Sequence, residues 1–259
     1  MNLLFQIKSF LRYKLKARHR KGFGVHSPFV FHLLNYVIFE KLPFYAYRPI
    51  EQIRAKMLKN KQVIDLTDFG TGEDRKSSVA DVAKKSLETE KFGQLLFRLV
   101  NHFRSKNILE LGSSLGISTM YLAKPSSVAN VVTMEGSSSL CRIAEQNFAE
   151  LGIENITLVE GNIDEKLSDV VAKFPTLDFV FFDANHTREA TLRYFELCRS
   201  KSHKETIFVF DDIHYSAEME NAWSEIKLRK EVCLSIDLYH FGLIFFNNDL
   251  PKQDYIVAF

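Results

Sequence analysis

Apolar residues follow two different periods along this chain. From Asn107 onward, short apolar runs alternate with segments of helical spacing. The runs predict strands at 107–111, 130–134, 155–159, 177–182, 206–210, 231–238 and 240–247. The segments between them predict helices at 117–123, 138–151, 164–173, 187–200 and 216–229. Repeated strand–helix units imply a parallel sheet with helices on both faces. Little more than Tyr239-His240 separates the last two strands, which is too short for a crossover, so they are expected to form an antiparallel hairpin.

The first third reads differently. Leu3, Leu4, Ile7, Phe10, Leu11 and Leu15 have helical spacing over residues 3–17, with basic residues mostly on the other face. The expectation is a helix that packs its apolar face on its own domain or on a partner subunit. A membrane-surface or nucleic-acid arm is the lesser reading. Ser27-Pro28 is placed to open a helix through Phe29–Phe39. Residues 63–72 imitate a strand and Gly turn, but the polar run Glu73–Ser78 follows, so 67–80 is read as a loop and 81–103 as one helix. The expected division is a helical lid or oligomerisation extension at 1–80 and a sheet domain at 81–259.

Composition narrows the class. Hydrophobic content of 46% and charged content of 25% fit a globular protein, and a net charge of +2 does not by itself imply a polyanionic partner; no DNA partner is expected, and RNA is disfavoured. The charge is uneven, because seven basic residues lie between Lys8 and Lys21 and no acid precedes Glu40. Cys141, Cys198 and Cys233 are scattered and odd in number, which supports neither a disulfide framework nor a zinc knuckle. With no signal-like N-terminus and no bilayer-length apolar stretch, a cytoplasmic location is expected.

The strand at 107–111 runs into Gly112-Ser113-Ser114-Leu115-Gly116, a turn whose glycines permit a tight entry into the following helix. The next strand ends in Glu135-Gly136, where an acid can hold a ribose diol. The Gly-x-x-x-Gly spacing lacks the third glycine of a dinucleotide fingerprint, which argues against an oxidoreductase.

With these residues the chain resembles class I S-adenosylmethionine-dependent O-methyltransferases over roughly residues 85–247. It is similar to the catechol O-methyltransferase group and to metal-dependent macrolide-sugar and antibiotic O-methyltransferases. Leu109–Ser118 looks like the group's first motif, Thr133-Met134-Glu135 like its ribose motif, and Gly161-Asn162-Ile163-Asp164 sits where the group clamps adenine. The resemblance implies a Rossmann-like α/β fold with a mostly parallel seven-stranded sheet closed by the C-terminal hairpin. It implies S-adenosylmethionine held by Glu110, Gly112, Ser113, Gly116, Ser118, Glu135, Gly136, Asn162, Ile163 and Asp183. Ser118 and nearby amides would meet the methionine carboxylate, and Glu110 would orient the turn. Asp164 would meet the adenine amino group or cap the next helix.

Two further strands end in acids, Asp183 and the pair Asp211-Asp212. Ligands in open α/β sheets bind beyond the carboxyl ends of strands, and clustered carboxylates repel unless a cation sits among them. A hard divalent cation, Mg²⁺, held by Asp183, Asp211 and Asp212 meets that requirement. The catechol branch has Asp-Asn where this chain has Asp211-Asp212, so Asp183-Ala184-Asn185-His186 and the acid pair look closer to the antibiotic branch, whose His stands at the base position. His186 is then the expected base and, with Asp183, the catalytic pair. Each of these residues also has an ordinary alternative as a strand-end turn or helix cap. His214 and Tyr215 are candidate substrate contacts, and Trp223 is expected to pack. No Asn/Asp-Pro-Pro-Tyr/Phe motif is present to receive a planar amine.

The reading is a Mg²⁺-assisted O-methyltransferase of a small hydroxylated molecule, with a homo-oligomer as an option. The alternatives are a metal-independent methyltransferase of RNA or protein, and a non-catalytic cofactor-binding or assembly module.

Overall fold

The computed structural model describes residues 3–67 and 75–259. In chain order the elements are α1 (Leu3–Lys16), α2 (Pro28–Leu33), α3 (Tyr47–Met57), β1 (Val63–Leu66), β2 (Arg75–Ser78), α4 (Val79–Ser86) and α5 (Glu90–Phe103). There follow β3 (Asn107–Leu111), α6 (Ile117–Ala123), β4 (Asn130–Glu135), α7 (Ser138–Glu150), β5 (Ile156–Glu160), α8 (Ile163–Ala172) and β6 (Leu177–Phe182). The chain ends with α9 (Arg188–Arg199), β7 (Ser202–Phe210), α10 (Ala217–Leu228), β8 (Leu234–Asp237), β9 (Gly242–Phe245) and β10 (Gln253–Ile256). This is a Rossmann-like α/β fold, a large and mostly parallel sheet that carries antiparallel strands and is surrounded by helices, as the alternation predicts.

Contacts divide the chain into two compact units, Lys41–Lys166 and Met1–Glu40 with Leu167–Phe259. In the first, β3, β4 and β5 run parallel, with Leu111 opposite Met134 and Glu135 opposite Glu160. Crossover helices α6 and α7 connect them, and Ile50, Val79, Phe97, Tyr121 and Phe148 join in one core. In the second, β6 pairs parallel with β7, β7 pairs antiparallel with β9, and β9 forms the expected hairpin with β8. Strand β6 is apolar at nearly every position because both of its faces are covered. Much of the phenylalanine content goes into this unit's core rather than a lid: Phe182 stacks on Phe210 at 4.3 Å, and Phe195, Phe208 and Phe246 pack around them.

Four expectations change. The helix expected at 81–103 is two helices, α4 and α5, separated by extended backbone at Leu87. Within the expected loop 67–80, residues 75–78 form β2, antiparallel to β1, and Val79 starts α4; residues 68–74 lie outside the described residues. The signal was present, since the Ser78 hydroxyl accepts the Asp81 amide at 3.1 Å in a cap. An eighth main strand, β10, pairs parallel with β8 where seven strands were expected; it is four residues long and half polar, so no periodicity marks it. Finally, α1 is a helix as predicted but docks through Ser9 and Tyr13, and Leu4, Ile7, Leu11 and Leu15 are exposed.

Candidate active site

The turn after β3 is built by short-range hydrogen bonds. The amides of Gly112 and Ser113 both donate to the Met134 carbonyl, at 2.9 and 3.2 Å, which ties the end of β3 to the end of β4. Gly116 donates to the Ser113 carbonyl at 2.7 Å and has φ +81°, a conformation costly for any residue with a Cβ. A Cβ there would also lie 2.5 Å from the Phe148 ring, so only glycine fits. Asn147 on α7 supports the loop from below by donating to the Leu115 carbonyl at 2.9 Å.

Glu135, at the end of β4, accepts the Ser114 amide on Oε2 at 2.8 Å and the Ser137 amide on Oε1 at 2.9 Å. A carboxylate has about four acceptor positions, so these two bonds orient it without by themselves exhausting it. The Gly161 amide donates to the Glu135 carbonyl at 2.8 Å, bringing the Gly161–Ile163 turn to the same strand end. Asn162 Oδ1 accepts the Asp164 amide at 3.0 Å, so Asn162 rather than Asp164 provides the local cap. Gly112, Ser113, Gly116, Glu135, Gly136, Asn162 and Ile163 thus gather at the ends of β3, β4 and β5.

Glu110 and Ser118 differ from the rest. The Glu110 carboxyl is fully buried; its Oε2 accepts hydroxyl hydrogen bonds from Thr119 at 2.5 Å and Thr133 at 2.6 Å, and Oε1 makes no hydrogen bond among the described residues. Burial raises its pKa above the usual carboxylate value, partly opposed by the Ser118, Thr119 and Thr133 hydroxyls. Ser118 is buried in the first turn of α6, close to Glu110. Thr119 and Asn147 were not singled out from the sequence, and Ser114 and Thr133 appeared there only as members of their motifs, with no role of their own.

The second unit places its chemistry at the ends of β6 and β7. The Asp211 amide donates to the Phe182 carbonyl at 2.9 Å, which sets Asp211 beside Asp183. Ligand atoms of Asp183, His186 and Asp211 all lie within 4.8 Å of one another. His186 Nε2 is 3.6 Å from Asp183 Oδ1, while its Nδ1 is buried with no hydrogen-bond partner among the described residues. Asp212 does not join this group. It has φ +52°, the turn that follows it is closed by Tyr215 N–H donating to its carbonyl, and its carboxylate lies 3.7 Å from His240 Nδ1. The expected third acid is thus replaced in the cluster by the expected base.

Tyr215 is partly exposed with its ring 6.0 Å from that of His186, which suits a substrate contact. His214 does not suit one. It is held between Glu220 (Nδ1 to Oε1, 2.9 Å) and Asp237 (Nε2 to Oδ2, 2.8 Å), and the Tyr239 ring stacks on it. Burial alone would lower its pKa, but hydrogen bonds and charge from Asp237 and Glu220 outweigh that and raise it. Trp223 packs as expected, against the backbone of Gly242.

The strands end in two groups of polar and acidic residues, one at β3–β5 and one at β6–β7. Residues 109–213, which span both groups of site residues, match the family model described as a methyltransferase domain. That match agrees with the resemblance read from the sequence: residues 109–213 are similar to a methyltransferase domain. No curated protein matches the chain in sequence. Among solved structures, the O-methyltransferase TomG of Streptomyces achromogenes, involved in tomaymycin synthesis and in complex with SAM, matches with a TM-score of 0.59 at 17% identity, over 81% of this chain and 93% of that one. The Bacillus cereus O-methyltransferase in complex with SAH matches with a TM-score of 0.58 at 20% identity, over 80% and 92%. The SAH-bound methyltransferase PaMTH1 of Podospora anserina matches with a TM-score of 0.56 at 16% identity, over 80% and 98%. At such identities the likeness establishes the fold. Among the described residues, no helix is long and apolar enough to cross a membrane.

Proposed function

We propose that the chain transfers a methyl group from S-adenosylmethionine to a hydroxyl of a small molecule with neighbouring oxygens, assisted by a divalent cation such as Mg²⁺. The observation that carries the choice of a hydroxyl acceptor is the convergence of Asp183, His186 and Asp211 at the ends of β6 and β7. Two converging carboxylates supply the hard oxygen donors that fit a divalent cation, with the imidazole beside them. Asp183 and Asp211 would hold it, and when bound it would lower the pKa of a chelated hydroxyl.

The chain's own groups supply the rest. Glu135 orients the ribose of the donor by accepting from its hydroxyls, with the carboxylate fixed in advance by the Ser114 and Ser137 amides. The Gly112–Gly116 turn lets the backbone approach the methionine portion. His186 accepts the hydroxyl proton at a ring nitrogen. Asp183 Oδ1 lies 3.6 Å from its Nε2 and helps to orient the imidazole. A cytoplasmic location accords with three cysteines that form no disulfide.

The test is transfer of a labelled methyl group to a panel of vicinal-hydroxyl acceptors, with Mg²⁺ or with chelator. Transfer that collapses on chelation supports the reading. Transfer only to RNA or protein, or equal rates with chelator, contradicts it. His186→Ala should slow the reaction by about 10²-fold and flatten the acid limb of its pH profile.

A further inference from the structure

We propose that α1 is an interfacial anchor that lays the chain on an anionic lipid surface. Its Leu4, Ile7, Leu11 and Leu15 stripe would enter the headgroup boundary, and the surrounding basic residues would meet lipid phosphates.

An amphipathic helix ordinarily packs its apolar face inward. Here the arrangement is reversed. Ser9 and Tyr13 are 2% and 4% exposed, whereas Leu4, Ile7, Leu11 and Leu15 are 72%, 48%, 56% and 84% exposed. At about 100° per residue, the four apolar side chains form a stripe about 80° wide on the side opposite Ser9 and Tyr13. The helix is not loosely placed. Ser9 Oγ donates to Glu220 on α10, Arg12 donates to the same carboxylate at 3.2 Å, and the Tyr13 hydroxyl donates to the Val257 carbonyl at 2.5 Å. The Tyr239 hydroxyl donates to the Gln6 carbonyl at 3.3 Å, and the Phe10 ring meets the Tyr239 ring edge-on at 5.1 Å. A polar and aromatic seam therefore fastens the helix and holds the apolar stripe outward.

Charge selects the occupant. Lys8 and Arg12 flank the stripe on one side and Lys14 on the other, all exposed, and exposed Lys16, Arg18 and Arg20 follow at its C-terminal end. No acid precedes Glu40. A second copy set on the same face would bring like charges together, which disfavours a symmetric dimer through this surface. A nucleic-acid backbone would match the lysines but leave four aliphatic side chains at the centre without apolar cover. A lipid surface satisfies both, with acyl boundary under the leucines and phosphates around them. Fourteen residues give about 21 Å of helix, which suits a position in the interface plane rather than a span.

The experiment is co-sedimentation of the full chain with vesicles of phosphatidylcholine alone and of phosphatidylcholine mixed with phosphatidylglycerol. Binding should require the anionic lipid and weaken in high salt. Leu11→Ser with Leu15→Ser should weaken it at least about tenfold, and Lys8→Glu with Lys14→Glu by a similar factor. These side chains are exposed, so the variants should melt at the wild-type temperature and keep any methyl-transfer rate measured in solution. No binding to anionic vesicles overturns the proposal, as does binding that ignores the leucine pair. Retention on RNA instead of vesicles, or a dimer in light scattering that the leucine pair abolishes, assigns the face to another partner and also overturns it.

Discussion

The two groups of strand-end residues solve the problem of concentrated negative charge in different ways. At the ends of β3 and β4, the chain's own donors surround the acids: Thr119 and Thr133 serve Glu110, and the amides of Ser114 and Ser137 serve Glu135. At the ends of β6 and β7, two carboxylates and an imidazole converge within 4.8 Å. On the proposed reading the first group would accept from a hydroxylated ligand, and the second would serve a cation and a proton. The contrast is that carboxylates at the same topological position differ in surroundings according to what the adjoining turn supplies.

The sharpest way to break this contrast is to remove acids in the second group. Asp211→Asn should cut Mg²⁺-stimulated methyl transfer by at least about 10³-fold, since a lost metal forfeits several kcal/mol of charge stabilisation. Asp212→Asn should cost far less, because Asn tolerates the φ of +52° and Asp212 faces His240 rather than the cluster. Equal losses would restore Asp212 to the ligand set that the sequence suggested.

A stability measurement probes the first group. Gly116→Ala forces a Cβ to 2.5 Å from Phe148 at a φ of +81°. It should destabilise the chain by about 2–4 kcal/mol in urea unfolding, the combined cost of overpacking and left-handed strain. A change below about 1 kcal/mol would mean that the turn is free to rearrange and is no fixed cradle.

The smallest effect concerns His214, which lies outside both groups. Its imidazole faces Glu220 and Asp237, with Arg12, Tyr13 and Tyr239 close by. Its folded pKa is raised, so its contribution to stability is fully present below the unfolded value of about 6.5 and is lost as pH rises through the folded value. The melting-temperature gap between wild type and His214→Gln should therefore be widest in mild acid and narrow toward alkaline pH. A gap that widens with pH would contradict the pairing.

The sequence made the βα alternation, the hairpin at 234–245 and the Gly112–Glu135 turn legible, because each is written in consecutive residues with a strong period or spacing. It also placed Asp183 and Asp211, since acids at strand ends point to the carboxyl edge. It did not reveal which member of Asp211-Asp212 turns toward Asp183. That choice is set by left-handed backbone at Asp212 and by the Ile213 amide bonding to His240, a contact outside the motif. The outward stripe of α1 was hidden for a related reason. Its periodicity states that one face is apolar, but Glu220 and Val257, more than 200 residues away, decide which face docks. His214 read as a substrate contact because its partners Glu220 and Asp237 come together only in the folded chain.

The most direct measurement is calorimetric titration of the full chain with S-adenosylhomocysteine, comparing wild type with Glu135→Ala and Asp211→Asn. The account predicts saturable binding to wild type, about 100-fold weaker binding to Glu135→Ala from the loss of charged hydrogen bonds, and near-wild-type binding to Asp211→Asn. Absence of binding to wild type, or affinity unchanged in Glu135→Ala, would contradict it.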